Sequence, residues 1–335
     1  MNLAPLAEVT RGAQVESIHY GAVAVVDRRG ELLYSAGDPH FLTFTRSTIK
    51  PFQALPFLRA GGPGRFGYGS REMALLCASH SGEAMHVDTV QGMLRKAGCD
   101  EHHLRCGCHV PILYATQGST PPPGETFTQL HNNCSGKHAG FLAHCVQQGL
   151  PLDTYIDPSH QLQQAIREDL GRVAGIAQDG MAMGIDGCSA PNYALPLSRL
   201  AYTYARLAQG DADPDHGSLM GDLFRAMTAH PELVSGTGRV DLALMQAAPG
   251  DWVAKGGAEG VQVLGIRSAG LGIAIKVADG HARGLAAATV SVLEQLGLLA
   301  AADTTPLDSW RSTEQRNLRG LHTGEVRAAV TLART

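Results

Sequence analysis

The sequence predicts an α+β fold in which both chain ends form one antiparallel sheet and a helical lobe is inserted between them. Strand patterns occur at residues 18–38 and again after residue 260, whereas apolar residues recur at intervals of three and four through most of the middle. Strands at both ends of a helical middle favour a sheet closed by the termini. We expect a single domain over residues 1–335, with a sheet lobe of residues 1–45 and 235–335 and a mainly helical lobe of residues 46–234.

The individual elements follow from local patterns. An apolar run from Ala22 to Val26, a turn at 27–30 and a return at 32–34 predict a hairpin. Apolar periodicity predicts seven helices in the middle of the chain and one near its end, and short β-branched runs predict three late strands. The predicted helices are 47–59, 71–78, 86–98, 136–148, 160–173, 193–207, 219–229 and 282–298, and the predicted strands are 260–266, 271–277 and 326–332.

Composition limits the function classes. The 335 residues are 44% hydrophobic and carry a formal net charge of -4, so no basic field for nucleic acid is present. The N-terminus has no cationic start followed by an apolar core, and we expect a cytoplasmic protein that binds neither nucleic acid nor membrane. Seven cysteines are an odd number, which favours free thiols or metal ligands over a disulfide framework.

Lys50 follows Ser47 by three residues, an S-x-x-K spacing that a helical turn places on one face. A serine hydroxyl becomes a nucleophile when a neighbouring base takes its proton, and a lysine is a base only in its neutral form. The pair therefore predicts a buried polar pocket. The spacing also arises by chance in long chains, so it needs support from other residues.

Two further groups supply that support. Ser79-His80-Ser81-Gly82-Glu83 packs hydroxyls, an imidazole and a carboxylate against a glycine turn, although such a run is also typical of a polar helix cap. Lys255 precedes two glycines at the entrance to a predicted strand, where the backbone can approach a ligand closely. A lysine facing Lys50 would favour the neutral form of both amines, and the alternative is a solvated lysine on a surface turn.

A third cluster has the chemistry of a metal site. Cys134 and Lys137 are predicted on the first turn of a helix, and Asp186 and Cys188 alternate along a strand or turn. Two thiolates and a carboxylate suit tetrahedral zinc, with Lys137 as a neutral amine or His138 completing the shell. The spacing is not that of a standard zinc motif, and buried unpaired cysteines are the alternative.

Seven motifs in order together resemble the asparaginase II family, the class 3 or rhizobial-type L-asparaginases, from about Ile18 to Val330. They are Ser47-Thr48-Ile49-Lys50-Pro51-Phe52, Ser79-His80-Ser81-Gly82-Glu83, Cys106-Gly107 with His109 and Pro111, Asn132-Asn133-Cys134-Ser135-Gly136-Lys137-His138, Asp186-Gly187-Cys188, Ser235-Gly236-Thr237-Gly238-Arg239 and Lys255-Gly256-Gly257-Ala258-Glu259-Gly260.

The resemblance implies an L-asparagine amidohydrolase with a serine β-lactamase/glutaminase-like fold, assembled as a homodimer. It implies two Ser-Lys pairs, Ser47 with Lys50 and Ser79 with Lys255. It also implies a Zn²⁺ site, whose ligands would be Cys134, Lys137, Asp186 and Cys188, with Asp186 acting through water or from outside the shell.

The implied substrate is a small zwitterion, which needs a cation for its carboxylate and an anion for its ammonium. Arg46 and Arg239 are candidates for the first role and Glu83 for the second, and His138 is assigned to the same pocket. Structural ion pairs are the alternative for the arginines. A shell of two thiolates and a carboxylate weakens the pull of zinc on a carbonyl, so we expect the metal to hold Lys137 and the Asn133 loop in place.

Rival functions keep part of this chemistry. A glutaminase or a penicillin-binding or β-lactamase-like hydrolase would use the same nucleophile, although the S-D-N element of penicillin-binding enzymes is replaced here by Ser79-His80-Ser81. A catalytically silent zinc-binding protein would keep the cysteines but would need no Ser-Lys pairs.

Overall fold

The computed structural model describes residues 2–335. Its strands are β1 (Ala4–Arg11), β2 (Gln14–Asp27), β3 (Leu32–Ala36), β4 (Leu42–Phe44), β5 (Met183–Ile185), β6 (Pro191–Pro196), β7 (Trp252–Gly257), β8 (Val261–Ile266), β9 (Leu271–Val277), β10 (Ser312–Arg316), β11 (His322–Ala328) and β12 (Ala333–Arg334). Its α-helices are α1 (Lys50–Gln53), α2 (Leu55–Arg59), α3 (Gly62–Phe66), α4 (Ser70–Leu76), α5 (Ala84–Lys96), α6 (Ile112–Gln117), α7 (Ser135–Gln148), α8 (Gln161–Ala174), α9 (Leu197–Gln209), α10 (Ser218–Ala229), α11 (Pro231–Val234), α12 (Val240–Ala247), α13 (Leu285–Gln295) and α14 (Asp308–Arg311).

The chain divides into two compact units. The sheet unit contains the chain up to Thr48, Leu195–Ala208 and Ala243–Thr335, and the helical unit contains Ile49–Ala194 and Gln209–Leu242. The segment Leu195–Ala208, which lies inside the sequence range of the predicted helical lobe, is therefore part of the sheet unit. Among residues 2–335, none of the helices combines the length and the apolar character that a membrane span requires.

The sheet unit is built on an antiparallel sheet with the strand order β10-β11-β1-β2-β9-β8-β7, extended by β3 beside β2 and β12 beside β3. Both ends of the chain contribute strands to it, which confirms the predicted architecture. The buried run Ala22–Val26 lies at its centre. Helix α9 packs directly on β8 and β9, because Gly265 and Gly272 have no Cβ to collide with the α9 backbone.

The helical unit positions the predicted site residues through one close helix contact. Helix α7 lies against α4, and a Cβ at Gly136 or Gly140 would collide with Leu75 or Leu76 of α4. The glycines therefore bring the start of α7 beside the end of α4. Because Cys134 immediately precedes α7 and Ser79 follows α4, two separately predicted clusters become neighbours.

Some predicted elements differ from the structure. The helix predicted over 47–59 is a 3₁₀ turn, Arg46–Ile49, followed by α1 and α2. Pro51 and Pro56 have no N–H with which to continue a preceding helix, and each is the second residue of a new one. The helix predicted from Tyr193 begins only at Leu197, since the preceding residues form β6, which pairs with β5.

Candidate active site

Lys50 is the centre of a hydrogen-bonded cluster in the helical unit. It is the first residue of α1 and is 1% exposed. Its Nζ donates to Ser79 Oγ at 2.9 Å, to the Asn133 carbonyl at 3.3 Å and to the Ala78 carbonyl. Three oxygens thus accept the three N–H groups of an ammonium, and none of the three carries a charge.

Ser79 is held by its backbone just beyond α4. Helix α4 ends at Leu76, and the Ser79 N–H donates to the Val234 carbonyl at 2.9 Å. The side chain is 5% exposed. A fixed backbone directs the hydroxyl towards Lys50, an arrangement that spacing in the sequence does not reveal because 29 residues separate the two.

Ser47, the predicted partner of Lys50, and Lys255, the predicted partner of Ser79, belong to the sheet unit. Ser47 lies on the 3₁₀ turn Arg46–Ile49, and Lys255 lies within β7, fully buried, with its Nζ donating to the Gly256 carbonyl at 2.7 Å. A Cβ at Gly257 would come within 3.2 Å of the Thr45 carbonyl. The glycines after Lys255 therefore allow the end of β7 to pack against the turn that carries Ser47.

Arg46 has a partner within the sheet unit. Its guanidinium lies 3.7 Å from the Glu259 carboxylate, and its φ of +50° places its backbone in the left-handed region. An ion pair is therefore formed, which is the structural role that sequence analysis left open for this arginine. A second role with substrate remains a prediction.

Glu83 accepts hydrogen bonds from the loop at residues 235–239 of the helical unit, and Arg239 belongs to that loop. Both carboxylate oxygens of Glu83 are hydrogen-bonded at 2.9 Å, one by the Thr237 N–H and the other by its hydroxyl. Gly236, at φ +130°, is required there because a Cβ would lie 2.5 Å from Ser81 Oγ. Arg239 Nη1 is buried and makes no hydrogen bond within residues 2–335. A buried guanidinium nitrogen in this condition suits an anionic ligand.

The sulfur cluster is also in the helical unit. Lys137 Nζ donates to Cys188 Sγ at 3.0 Å, and both residues are buried with Cys134. Hydrogen bonding from the Cys134 thiol, opposed by burial and aided by the Lys137 charge, lowers the pKa of Cys188 well below its usual value. The contact with Cys188, together with burial, raises the pKa of Cys134. The Lys137 contact and the lowered pKa both favour Cys188 as the sulfur that carries the negative charge, as a thiolate.

Lys137 is the counter-charge of that thiolate. Burial opposes its charge, but the nearby sulfurs of Cys188 and Cys134 outweigh burial and raise the pKa of Lys137. The Asp186 carboxylate acts in the same direction with a smaller effect. Asp186 itself lies in a turn in which its N–H donates to the Ala190 carbonyl at 2.9 Å.

His138 lies beside the same sulfurs. Its Nδ1 is 2.7 Å from the Tyr155 hydroxyl, whereas its Nε2 is buried and makes no hydrogen bond within residues 2–335. Burial lowers the pKa of His138, and its imidazole in turn favours the Cys188 thiolate. The structure thus brings His138 to the sulfur cluster, and its predicted contact with substrate remains a prediction.

The donors present fit zinc only if the lysine takes part. No three His, Cys, Asp or Glu side chains converge as a metal site anywhere from residue 2 to residue 335. Two sulfurs and the Lys137 amine are three donors that zinc accepts, with the Nε2 of His138 nearby. Such binding would release the protons of Cys134 and Lys137, so it would be pH-dependent.

Main-chain atoms are the functional groups that sequence reasoning missed. The carbonyls of Ala78 and Asn133 surround Lys50, and a carbonyl has no residue-specific signal in a sequence. The side chain of His109 also contacts this loop, because its Nε2 accepts the Asn133 N–H at 3.1 Å. The motif containing Cys106, Gly107 and His109 was the available signal for this contact.

Solved structures give only distant matches. A structure of Mglu in its glutamate form is 16% identical over 84% of this chain and 62% of that chain, with a TM-score of 0.44. A putative beta-lactamase from Bacteroides dorei is 12% identical over 82% and 93% of the two chains, with a TM-score of 0.43. A penicillin-binding protein homolog from Caulobacter crescentus is 16% identical over 79% and 90%, with a TM-score of 0.39.

The search of curated proteins found no match. A family model described as L-asparaginase II, in contrast, matches residues 7–328. That range covers nearly the whole chain and includes every residue of the clusters described above. The chain therefore belongs to the L-asparaginase II family.

Proposed function

We propose that this protein is an L-asparaginase, which hydrolyses the side-chain amide of L-asparagine to L-aspartate and ammonia. The observation that carries the proposal is the buried hydrogen bond between Lys50 Nζ and Ser79 Oγ at 2.9 Å, in a member of this family. A lysine whose hydrogen-bond partners are uncharged oxygens can gain and lose a proton without breaking an ion pair. That property is what a general base requires.

The proposed reaction is acyl transfer in two steps. The Ser47 oxygen attacks the amide carbon of asparagine while neutral Lys50 takes the hydroxyl proton, and ammonia leaves with a proton returned by the lysine. Water then attacks the aspartyl ester and restores Ser47. Backbone N–H groups, among them that of Ser47, would hold the negative oxygen of each tetrahedral intermediate.

Ser79 has the second role in this proposal. Lys50 must lose one of its three protons before it can act as a base, and Ser79 is the hydroxyl through which that proton can leave. Lys255 completes the relay to the leaving amine and helps to activate water. We therefore assign Ser47, Lys50, Ser79 and Lys255 to catalysis.

Arg239 is the best-supported group for the substrate carboxylate. Its buried Nη1 makes no hydrogen bond within residues 2–335, so binding an anion would satisfy it. Arg46 is a weaker candidate because it pairs with Glu259. Glu83 is assigned to the substrate ammonium, although Thr237 already occupies one hydrogen-bonding position on each of its oxygens.

Zn²⁺ is proposed as a structural ion. Cys134, Cys188 and Lys137 would hold it, with Asp186 acting through water or from outside the shell. When bound, zinc would supply a fixed positive charge and a rigid attachment for the loop before α7. The Asn133 carbonyl belongs to that loop and accepts from Lys50.

The homodimer and the cytoplasmic location belong to the proposal as well. Light scattering of the purified protein should give twice the 35.3 kDa of one chain. A mass of one chain would contradict the dimer without affecting the catalytic assignment.

Ammonia release from L-asparagine and from L-glutamine, measured side by side, tests the function. We expect turnover of asparagine to exceed that of glutamine and a β-lactam substrate to remain intact. Ser79→Ala should remove most of the activity, whereas the matched control Ser70→Ala, whose hydroxyl contacts His230, should retain it. Faster release from glutamine would make the protein a glutaminase, and release from neither amide would contradict an amidohydrolase for these substrates.

A further inference from the structure

His80 is a fully buried imidazole next to Ser79 of the Lys50–Ser79 pair, and the proposed reaction leaves it without a role. It follows Ser79 directly and is 0% exposed. Its Nδ1 accepts the Gly82 N–H at 3.2 Å, and its Nε2 lies 2.8 Å from Ser135 Oγ. Both ring nitrogens are therefore engaged.

The direction of these hydrogen bonds is determined from both ends. Nδ1 accepts a backbone N–H, so the proton of a neutral ring must be on Nε2. Independently, the Ser135 hydroxyl donates its one proton to the Leu130 carbonyl at 2.8 Å, so Ser135 Oγ must accept from His80. The two constraints agree on one tautomer, and neither ring nitrogen can exchange a proton with Ser79.

The backbone of His80 reaches the same loop from the other side. Its N–H donates to the Asn133 carbonyl at 3.2 Å, and that carbonyl also accepts from Lys50 Nζ at 3.3 Å. His80, which directly follows Ser79, thus contacts Asn133 through its main chain and Ser135 through its side chain. These contacts lie on both sides of Cys134.

We propose that His80 is a positioning residue, which holds the Asn133 carbonyl and the start of α7 in the arrangement that surrounds the Lys50–Ser79 pair. This inference rests on the proposed function of that pair. His80 takes no proton from the nucleophile or the substrate. It determines where the acceptors of Lys50 lie, and through them how that amine exchanges its proton.

The electrostatic surroundings of His80 are consistent with a neutral ring. Burial, followed by the neighbouring His86, Lys50, His109 and His131, lowers the pKa of His80 well below its usual value. The His86 ring is stacked on that of His80 with centroids 5.0 Å apart and planes 12° from parallel. His86 is itself committed, because Nδ1 accepts the Glu83 N–H and Nε2 contacts the Glu232 carbonyl.

Three substitutions separate the contacts of the ring. His80→Gln offers an N–H in place of Nε2, His80→Asn offers an acceptor in place of Nδ1, and His80→Leu offers neither. If the contact with Ser135 is the important one, Gln should keep kcat within about fivefold, whereas Asn and Leu should each lower it about 10- to 100-fold. KM for asparagine should change by less than about threefold, because Arg239 and Glu83 are outside this chain of hydrogen bonds.

Ser135→Ala and the pH profile distinguish positioning from general destabilisation. Ser135→Ala should reproduce much of the loss of kcat. The double variant with His80→Leu should lose little more, because both changes break the same chain of hydrogen bonds.

The rising limb of the plot of kcat against pH should move to lower pH in these variants, since a displaced Asn133 carbonyl stabilises the Lys50 ammonium less. Additive losses with an unmoved limb would overturn the proposal. The groups near Lys50 whose charge also enters this profile are His80, Cys106, Cys134 and His138.

A measurement without substrate keeps this inference separate from the proposed function. ¹⁵N NMR of histidine-labelled wild type should show His80 with one protonated and one unprotonated nitrogen from about pH 5 to about pH 9. His144→Gln, which replaces another buried histidine of the helical unit, is the control for assignment and stability. A His80 that titrates in parallel with activity would be a proton carrier and would overturn the proposal. If wild type hydrolyses neither amide, the function fails while the NMR result still decides the state of His80.

Discussion

Two buried lysines of the helical unit have opposite surroundings. The amine of Lys50 donates to two carbonyls and the Ser79 hydroxyl, all uncharged oxygens, whereas the amine of Lys137 donates to the sulfur of Cys188. The pKa of Cys188 is lowered and that of Lys137 is raised, so the second lysine is half of an ion pair. The two amines are similar in burial, at 1% and 3% exposed, and differ in the charge of their partners.

This difference indicates which lysine can work as a base. An ammonium held by a thiolate loses its proton only at the cost of leaving a buried charge unpaired. An ammonium held by neutral oxygens leaves no such charge behind. Lys50 is therefore suited to proton transfer, and Lys137 is suited to holding two sulfurs together or to binding a metal in place of the protons.

The largest expected effect comes from replacing each of the two lysines, in separate variants, by methionine. Lys50→Met should lower kcat for asparagine about 10²- to 10⁴-fold, the usual cost of losing a general base, with the fold retained. Lys137→Met should lower kcat less than about tenfold but should reduce the melting temperature, because Cys188 loses its counter-charge. Ammonia release and thermal unfolding of the two variants provide the comparison. Equal kcat losses would remove the distinction between the lysines.

The next effect concerns Ser47 and Ser79, the two serines assigned to catalysis. Ser47→Ala should abolish acyl-enzyme formation, whereas Ser79→Ala should slow it while leaving some ester detectable, because Ser79 relays the proton rather than attacking. Rapid acid quenching after mixing with asparagine, followed by peptide mass spectrometry, locates the ester. An ester on Ser79 in the Ser47→Ala variant would contradict this assignment. Ser79 would then be the nucleophile, and Lys50, its observed hydrogen-bond partner, would be its base.

The zinc content of the purified protein tests whether the cysteines beside Lys137 bind a metal. Elemental analysis of the wild type should give one zinc per chain, and the double variant Cys134→Ser with Cys188→Ser should have lost it. Cys108→Ser, which changes an exposed thiol, is the matched control and should keep the metal. Full zinc content in the double variant would place the site elsewhere, with Cys106, Cys108 and His109 the next candidates.

The smallest effect is a pH dependence of stability in the same helix. His144 lies on α7, and with Lys137 it lines a small cavity. Burial lowers the pKa of His144 from 6.5 to about 4. The folded state therefore resists protonation that the unfolded chain accepts, so this stability is complete above pH 6.5 and is lost as the pH falls towards 4. At pH 5 the loss should reach about 2 kcal/mol.

Urea unfolding at pH 7 and at pH 5 measures this loss, with His144→Gln as the non-titrating comparison. The wild type should lose more stability than the variant between the two values, while kcat at pH 7 should be the same for both. An equal loss would show that His144 does not titrate on unfolding. A changed kcat would connect α7 to catalysis by a route other than His80.

Much of the local chemistry was readable in the sequence. Lys50 was recognised from its S-x-x-K spacing to Ser47, and Ser79 from the polar run Ser79–Glu83 that follows a predicted helix. The sheet from both chain ends followed from the strand patterns. Other elements were missed where the pattern is ambiguous. Strand β6 is almost entirely buried, so its sequence does not alternate and resembles a helix, and pairing with β5 decides its state.

What the sequence by itself determined is the set of reactive groups: three lysines, two serines, two cysteines and the glycines that let backbones approach. Local spacing paired Ser47 with Lys50 and Cys134 with Lys137, since residues three apart lie on one helical face. Only the tertiary structure decided that Lys50 binds Ser79 and that main-chain carbonyls complete its surroundings. Such contacts depend on α4 and α7 packing through Gly136 and Gly140, and no local pattern specifies which distant carbonyl will lie beside a given amine.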